Sequence, residues 1–393
     1  MRKETRFAAA GLVVLLSAVA PAQVWAAATD SPEFSRTAEE WARLQDNTLE
    51  YDEIADLVHE YNTTVLNNRV SYRDYLGKDR DDVARRYRDA AQELRDNIEY
   101  PDDPTDTSYA TMLMAAQLNE TQAKSLEEQA DNNVDDSQSI YLQYEMVEAN
   151  LVLATKLNLI AYNQKLLSNG LTEENRSLLE AQYQAVQVQA SVGSATQTDV
   201  LNARQALEQL ESTSISDAKE TQTLKQQICL AAGWNYDADP VFGELPQVDP
   251  AQIAAIDLEA DKARALENNY TLKISRRQYE NSTSSATREN LQNTIRDNEQ
   301  NIASDITSKY QSLLEAQSSY NLALTQQAVE AQTLAAVQQR FQTGAASQLE
   351  YLQESYNMSS RNTAVETAAL SLLSAWETYQ GAVNGLASAS ASS

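Results

Sequence analysis

The residues whose types and spacing could do chemistry lie in two related ten-residue segments, 192–201 and 343–352. Each segment has a glycine, a hydroxyl residue three positions later and a carboxylate three positions after that, with an offset of 151 residues throughout. The matching residues are Gly193, Thr196 and Asp199 in the first segment, and Gly344, Ser347 and Glu350 in the second. Hydroxyl and carboxylate oxygens accept hydrogen bonds, so this duplicated set is the first candidate for a functional site.

The spacing within each segment is typical of the junction between two helices. Glycine tolerates the left-handed conformation that ends a helix. Thr196 or Ser347 would then act as the N-cap of the next helix, and Asp199 or Glu350 would complete a capping box at the positive helix end. The sequence therefore predicts one tight, doubly capped helical hairpin in each half of the chain.

Other reactive residues are scarce. A single His and a single Cys among 393 residues exclude a zinc site built from Cys and His, a disulfide framework and nearly every histidine-based mechanism. His59 is predicted to be a surface residue, and Cys229, in an apolar helical stretch, to be a buried, inert thiol. No phosphate-binding glycine loop or Ser-His-Asp arrangement stands out. The sequence therefore predicts neither enzymatic activity nor a cofactor.

The composition favours long helices. The chain has 57 Asp and Glu against 30 Lys and Arg, a net charge of −27, which disfavours binding to the polyanionic nucleic acids. It contains only 9 Gly and 7 Pro, so few turns are expected. With 42% hydrophobic residues, this composition is typical of long, largely solvated helices that each carry a narrow apolar seam.

Residues 1–26 have the pattern of a secretory signal peptide, with cleavage predicted at 26–28. Arg2, Lys3 and Arg6 form a basic start, and the apolar run over 8–20 is shorter than the roughly 20 residues that span a bilayer. A retained N-terminal anchor is the alternative. No Cys lies near the cleavage site to carry a lipid. We therefore predict an exported protein of the cell envelope.

The rest of the chain divides into two helical halves around one irregular segment. The predicted units are a first repeat over 27–233, a linker over 234–250, a second repeat over 251–385 and a disordered tail over 386–393. The main predicted helices are 37–76, 80–98, 109–192, 197–232, 251–266, 269–341 with an interruption near 281–286, and 348–382. The helix over 109–192 would be about 120 Å long.

The second half carries a heptad seam. Six residues recur at intervals of seven: Ile306, Leu313, Tyr320, Gln327, Leu334 and Phe341. Tyr310, Leu324 and Ala331 occupy the companion positions. This pattern predicts coiled-coil packing against another helix, and the alanines beside the seam allow neighbours to approach on two sides.

Together these features resemble the TolC outer-membrane efflux protein family. The duplicated glycine turn follows a long helix once per half, Asn268 and Asn269 begin the second repeat, and Tyr310 and Leu313 lie on its long helix. The resemblance spans residues 37–385. It implies that three chains form a hollow α-helical barrel whose hairpin tips face the inner membrane. There an adaptor of the membrane-fusion type and a pump of the ABC type or another class would dock.

One feature of the family is missing from the sequence. The family carries a pair of amphipathic strands in each repeat, which build an outer-membrane β-barrel, and residues 77–130 and 281–298 lack such alternating segments. The predicted fold is therefore all-α. It consists of long antiparallel helical hairpins in two repeats, as in a TolC-like α-barrel protomer without a membrane β-barrel. This fits a cell without an outer membrane; in a cell that has one, the outer membrane is the expected location.

Two pairs of alternatives follow from the sequence. Asp199 and Glu350 either only cap helices or also form a carboxylate ring at a pore entrance, which the resemblance implies for the second repeat. Gln353, Phe341 and Ala346 stand where the family's second acidic ring and polar latch residues are expected. The protein is either a subunit of an efflux or secretion conduit, or a structural or adhesive coiled-coil spacer of the envelope. The duplicated tip favours the conduit.

Overall fold

A computed structural model describes residues 36–101, 105 and 108–390. The predicted signal peptide, its cleavage site at 26–28 and residues 391–393 lie outside the described residues. The described residues are 81% helical, which confirms the all-α prediction. Across the described ranges, no helix combines the length and the apolar character needed to cross a membrane.

Within the described residues the chain forms twelve α-helices and one pair of two-residue strands. The helices of the first repeat are α1 (Ala38–Leu44), α2 (Ile54–Tyr61), α3 (Thr63–Arg73), α4 (Arg80–Asp96), α5 (Tyr109–Asp131), α6 (Ser137–Ser191) and α7 (Gln197–Ala231). Those that follow are α8 (Pro250–Ala254), α9 (Leu258–Asn268), α10 (Tyr270–Asn281), α11 (Ser285–Gln342) and α12 (Gln348–Gly381). A 3₁₀ turn at Tyr51–Glu53 precedes α2, and a π-helical turn at Ala382–Leu386 follows α12.

Four long helices form a single layer in the order α7, α6, α12, α11. The helix α7 packs on α6, α6 on α12, and α12 on α11. The layer is about 80 Å long along α6 and α11, which have 55 and 58 residues, and about 50 Å long along α7 and α12, which have 35 and 34. The two glycine turns lie at the same end of this layer, because Gln182 near the end of α6 donates to Gln353 near the start of α12, at 3.2 Å. The outer helices α7 and α11 form its edges.

The same asparagine contact closes both repeats at the end opposite the turns. Asn62 caps α3, and its amide nitrogen donates to the Ala231 carbonyl oxygen at the end of α7, at 3.0 Å. Asn269 caps α10, and its amide donates to the Ala387 carbonyl oxygen beyond α12, at 2.8 Å. This equivalence extends the repeat beyond the turns. Asn62 also divides the helix predicted over 37–76, because its extended backbone separates α2 from α3.

Two apolar clusters form the core. The first gathers Ile54, Leu57, Leu159 and Ile228 from α2, α6 and α7. The second contains Leu272, Ile302, Ile306, Leu313 and Tyr379 from α10, α11 and α12. The segment predicted as a linker packs on the first cluster through residues that include Trp234 and Phe242. The strands β1 (Thr48–Leu49) and β2 (Val241–Phe242) pair in parallel and fasten this segment to the first repeat.

The single helix predicted over 109–192 is wrong, because residues 132–136 separate α5 from α6. Asp136 caps α6 by accepting a hydrogen bond from the Ser139 N–H at 2.9 Å. Its other carboxylate oxygen accepts one from the Arg277 guanidinium of α10 at 2.7 Å. This contact between the repeats holds the break in place. Gly170 lies inside α6.

The disordered tail predicted from residue 386 is wrong for residues 386–390. Ala387 is buried in the second core cluster. The carbonyl oxygen of Ala389 accepts a hydrogen bond from the Asn301 amide of α11 at 3.0 Å. Small, uncharged residues had suggested disorder, but here their size lets the backbone approach α9 and α11 closely enough to be bound.

The heptad seam of α11 packs against α12, as predicted, with Ile306 and Leu313 fully buried. Towards the turn, Gln327 donates to the Asn362 side chain of α12 at 2.9 Å. The companion residue there is Glu330, which pairs with Arg361 of α12 at 3.4 Å, whereas Leu324 is exposed. The companion positions thus lie three rather than four residues after each seam residue in this part of the helix.

Replacing Asn269 should weaken the closure of the second repeat. Asn269 is 1% exposed, and Asn269→Ala removes the α10 cap and the bonds to the carbonyl oxygens of Gly385 and Ala387. We expect a loss of about 2 to 3 kcal/mol in the free energy of unfolding, measured with urea. Asn301→Ala, which removes one bond to the same segment, is the control and should cost about 1 kcal/mol. Equal losses would contradict the role given to Asn269.

Candidate functional site at the paired helix tips

The two glycine turns, which we call tip 1 (residues 189–200) and tip 2 (residues 340–351), have the same backbone. Gly193 has a φ of 77° and Gly344 a φ of 73°, in the left-handed region. No atom lies within 4 Å of a Cβ built on either glycine, so conformation alone requires glycine here. The residue after each glycine donates to the carbonyl five positions earlier. These bonds join Ser194 to Gln189 at 2.8 Å and Ala345 to Arg340 at 2.7 Å.

Tip 1 has the full capping box that its spacing predicts. The hydroxyl oxygen of Thr196 accepts the N–H of Asp199 at 3.2 Å. In return, the Asp199 carboxylate accepts the backbone N–H of Thr196 at 2.8 Å and its hydroxyl at 2.7 Å. These two donors hold the pKa of the Asp199 carboxyl below its usual value. Asp199 is therefore a charged, exposed cap whose oxygens are already engaged at the helix start.

Tip 2 forms only half of the predicted box. Ser347 accepts the N–H of Glu350 at 3.1 Å, as an N-cap should. The Glu350 carboxylate does not return the contact, and instead forms an ion pair with Arg340 at 2.8 Å. The prediction that Glu350 completes a capping box is therefore wrong. The reason is its neighbour: tip 1 has the neutral Gln189 where tip 2 has Arg340.

An aromatic pair further distinguishes tip 2. The rings of Phe341 and Tyr351 stack with their centroids 5.1 Å apart and an interplanar angle of 10°. The corresponding residues of tip 1 are Ala190 and Val200. Two turns with one backbone thus present different surfaces, one small and one aromatic with an ion pair. This difference lies outside the Gly–Thr/Ser–Asp/Glu pattern, so the residues that the two segments share do not indicate it.

The carboxyl groups of Glu330 on α11 and Glu354 on α12 are neighbours just behind tip 2. Glu354 of α12 accepts a hydrogen bond from the Asn357 amide at 3.2 Å, but its other oxygen, Oε1, is buried and receives none. Burial, reinforced by the neighbouring Glu330 carboxyl of α11, raises the pKa of Glu354 above its usual value. Two carboxyl groups can bond only when one carries a proton. Spacing along the chain does not indicate this pair, because Glu330 and Glu354 come together only when α11 packs on α12.

Gln353, which the resemblance places at a pore, is bound to neighbouring side chains of α6 and α12. Gln353, at the position of the family's second acidic ring, accepts a hydrogen bond from Gln182 of α6 at 3.2 Å. It also donates to Asn357 at 3.2 Å. Gln353 thus bridges α12 to α6, and the nearby carboxylate is Glu354, which faces α11.

His59 and Cys229 lie far from the tips, near the closed end of the first repeat. The prediction that His59 is a surface residue is wrong, since it is 8% exposed and contacts Glu148 at 2.8 Å through Nδ1. Arg69 donates to Nε2 at 2.9 Å, so Nδ1 carries the proton. Cys229 is fully buried, as predicted, and burial raises the pKa of its thiol. Among the described residues, no group of three His, Cys, Asp or Glu is placed to hold a metal ion.

Comparison with known proteins rests on structure alone. No protein-family model and no curated protein matches the sequence. The outer-membrane channel OprN matches the chain with a TM-score of 0.53 at 12% identity, over 88% of this chain and 92% of that chain. A membrane protein from Pseudomonas aeruginosa matches with a TM-score of 0.51 at 12% identity, over 85% of this chain and 93% of that chain. The chain has a TolC-like fold. At 12% identity, the similarity to these structures establishes the fold alone. The function has to be argued from the residues of this chain.

The carboxylate pair behind tip 2 should make stability depend on pH. A raised pKa means that the folded protein binds a proton more tightly than the unfolded chain, so stability is present at low pH and is lost as pH rises through the folded pKa. Glu354→Gln supplies a permanent N–H donor towards Glu330. The variant should be more stable than the wild type near pH 8, by up to about 1 kcal/mol, with a difference that shrinks on acidification.

Thermal unfolding at several pH values between about 5 and 8 measures this effect. Glu174→Gln, which neutralises an exposed carboxylate on α6, is the matched control and should leave the pH profile unchanged. In a Glu330→Gln background, the change at Glu354 should have a smaller pH dependence, because burial still raises the pKa of Glu354 but the neighbouring carboxyl no longer adds to it. Parallel profiles for the wild type and Glu354→Gln would show that the two carboxyl groups do not share a proton.

Proposed function

We propose that this chain is an exported subunit of an efflux or secretion conduit in the cell envelope. Three copies would close a helical duct whose tips dock an adaptor of the membrane-fusion type and an inner-membrane pump. The observation that carries this proposal is the layer of four long helices, which is open at both edges. A layer with two open edges can be closed by repetition around an axis.

The edges of the layer have the surface that such closure needs. On α7, Leu201 and Ile215 are exposed, the latter at 68%. On α11, Leu322 and Val329 are exposed and lie seven residues apart. Apolar residues at heptad spacing on the outer sides of edge helices suit packing against a further helix. In an assembly, α7 of one copy would meet α11 of the next.

The number of copies follows from the resemblance to the TolC family. Four long helices per chain and three chains would give a ring of twelve. The TolC-like fold, shared with the outer-membrane channel OprN, supports this arrangement. It also supports a location in the envelope.

The tips support the docking role. Both lie at the same end of the layer, and each is held by a left-handed glycine and a capped helix start. Their backbones match while their side chains differ, as expected for a partner that contacts two related but distinct sites. We propose that Gly193, Thr196 and Asp199, with Gly344, Ser347 and Glu350, form the docking end. A pore ring of Glu350 is disfavoured in this state, because Arg340 neutralises it.

A structural or adhesive spacer of the envelope is the second candidate, since a layer about 80 Å long also separates two surfaces. A spacer has no use for two matched, capped turns at one end. The oligomeric state and the adaptor interaction distinguish the two functions.

The mature protein should assemble into trimers through its edge helices. Light scattering should report a trimer at high concentration and a monomer on dilution. Ile215→Glu places a charge on the exposed apolar side of α7 and should weaken assembly by about tenfold or more. Gln209→Glu adds the same charge on a different exposed side of α7 and is the control. A stable dimer, or equal effects of both substitutions, would count against the ring.

Distorting the tips should weaken adaptor capture without unfolding the protein. Gly193→Val or Gly344→Val forces a β-branched residue into the left-handed region, at a local cost of about 1–2 kcal/mol. In a pull-down with a membrane-fusion-type adaptor, both variants should bind less, while circular dichroism shows unchanged helicity. Gly170→Val inside α6 and Pro101→Ala at the opposite end are controls. Normal capture by both tip variants, with loss in Pro101→Ala, would reverse the proposed orientation.

A further inference from the structure

The first repeat contains a helical hairpin that the second repeat lacks. In the second repeat, residues 282–284 are enough to join α10 to α11. In the first repeat, residues 74–136 separate α3 from α6, and they form α4 and α5. A three-residue connection closes an equivalent repeat, so the hairpin is not required by the repeat itself. It lies at the end of the layer opposite the tips.

The hairpin is held together by its own contacts. Arg95 of α4 donates to Glu120 at 3.2 Å and to Glu127 at 2.8 Å, both on α5. Three alanines of α5, spaced by seven residues, are buried against α4: Ala116, Ala123 and Ala130. At its base, Arg80 donates to the Thr283 hydroxyl at 3.1 Å. The hairpin is therefore a separate arm fastened at one end.

The two helices of this arm expose opposite kinds of surface. The exposed side of α4 is charged through Asp81, Arg85, Arg88, Asp89, Glu93 and Asp96. On α5, every exposed position from 110 through 122 is uncharged, and Glu120 on that stretch is engaged with Arg95. Charged residues make up 22% of the chain, so an exposed helix face about three turns long without charge is unusual here.

The uncharged face of α5 also has the spacing of a helix-packing seam. It carries five exposed residues at alternating intervals of three and four: Thr111, Met114, Leu118, Thr121 and Ser125. These positions lie on the side of α5 opposite its buried alanines, so α4 leaves them unpartnered. Alternating intervals of three and four are the a and d positions of a coiled coil.

We propose that this face of α5 packs against the same face of other copies of the chain, so that the arms join around the axis at the end opposite the tips. Rotation about an axis makes the helices parallel and brings each position near its own copy. Each chain carries a net charge of −27, so close contact between copies is favoured where a surface is free of charge.

This inference rests on the proposed ring. Only Met114 and Leu118 are large apolar residues among the five, so the seam is too small to hold copies together by itself. Assembly through α7 and α11 would raise the effective concentration of the arms and make a weak contact form. The small apolar area also favours a second copy over a lipid surface, which would require a broader apolar face.

Cysteine cross-linking of the full mature chain tests the contact. Ser125→Cys lies on the seam, and Glu93→Cys lies at about the same height of the arm on the charged side of α4. The native Cys229 is fully buried and should not react. Under mild oxidation, Ser125→Cys should give a covalent dimer as the main product, and Glu93→Cys should stay monomeric. Equal cross-linking of the two variants, or none in Ser125→Cys, would overturn the proposal.

Light scattering on the same samples separates this proposal from the ring. A trimer that does not cross-link at position 125 would refute the arm contact and leave the ring intact. A cross-linked protein that never exceeds a dimer would retain the arm contact and refute the ring. Protein that is monomeric and uncrosslinked at every concentration would refute both.

A charge on the seam provides an independent measurement. Leu118→Glu should weaken trimer formation by about tenfold, because one large apolar side chain per copy is replaced by a repelling carboxylate. Arg85→Glu, on the exposed side of α4, should have little effect. Flotation with vesicles of phosphatidylcholine and phosphatidylglycerol tests the lipid alternative. Binding that Leu118→Glu abolishes, in protein that does not cross-link at 125, would assign the face to lipid and overturn the proposal.

Discussion

The structure depends on the need of each long helix to cover one narrow apolar seam. A helix such as α11, with 58 residues, has too little apolar surface to fold alone and too much to remain in water. Within the layer, α6 and α12 each have a long helix on both flanks, whereas α7 and α11 have one on a single flank. The apolar residues left on the edge helices, Ile215 and Val329 among them, are the unfinished part of this burial, and they underlie the proposed assembly.

Both repeats are fixed at the end opposite the tips. Asn62 and Asn269 each cap one helix and bind the carbonyl at the end of their own repeat, and Arg277 joins the repeats by its pair with Asp136. The tips lie about 50 Å from the two asparagine contacts, which is the length of α7 and α12, and about 80 Å from the Asp136–Arg277 pair. Backbone turns and helix caps hold each tip. Their side chains are therefore free to differ without any cost to the core.

The side chains of the two tips form different contacts. In tip 1 the carboxylate of Asp199 stays with its own helix start, whereas in tip 2 Arg340 draws Glu350 away and Phe341 stacks on Tyr351. Behind tip 2, burial and the neighbouring Glu330 carboxyl raise the pKa of Glu354. Tip 2 therefore has more side-chain contacts than tip 1. It combines an ion pair, an aromatic stack and a carboxyl group with a raised pKa.

The sequence by itself determined the all-α class, the long helices and the two capped turns. These follow from local chemistry: few Gly and Pro, heptad spacing, and a Gly–Thr/Ser–Asp/Glu pattern that acts within one turn of chain. Tertiary structure decided what depends on distant neighbours. The break before α6 needs Arg277 across the repeats, the ordered segment at Ala387 needs Asn269, and the fate of Glu350 needs Arg340 on the facing helix. His59 can be buried because Glu148 and Arg69 form hydrogen bonds with its two ring nitrogens. Such partners lie far apart in the chain or on another helix, and periodicity carries no record of which of them will meet.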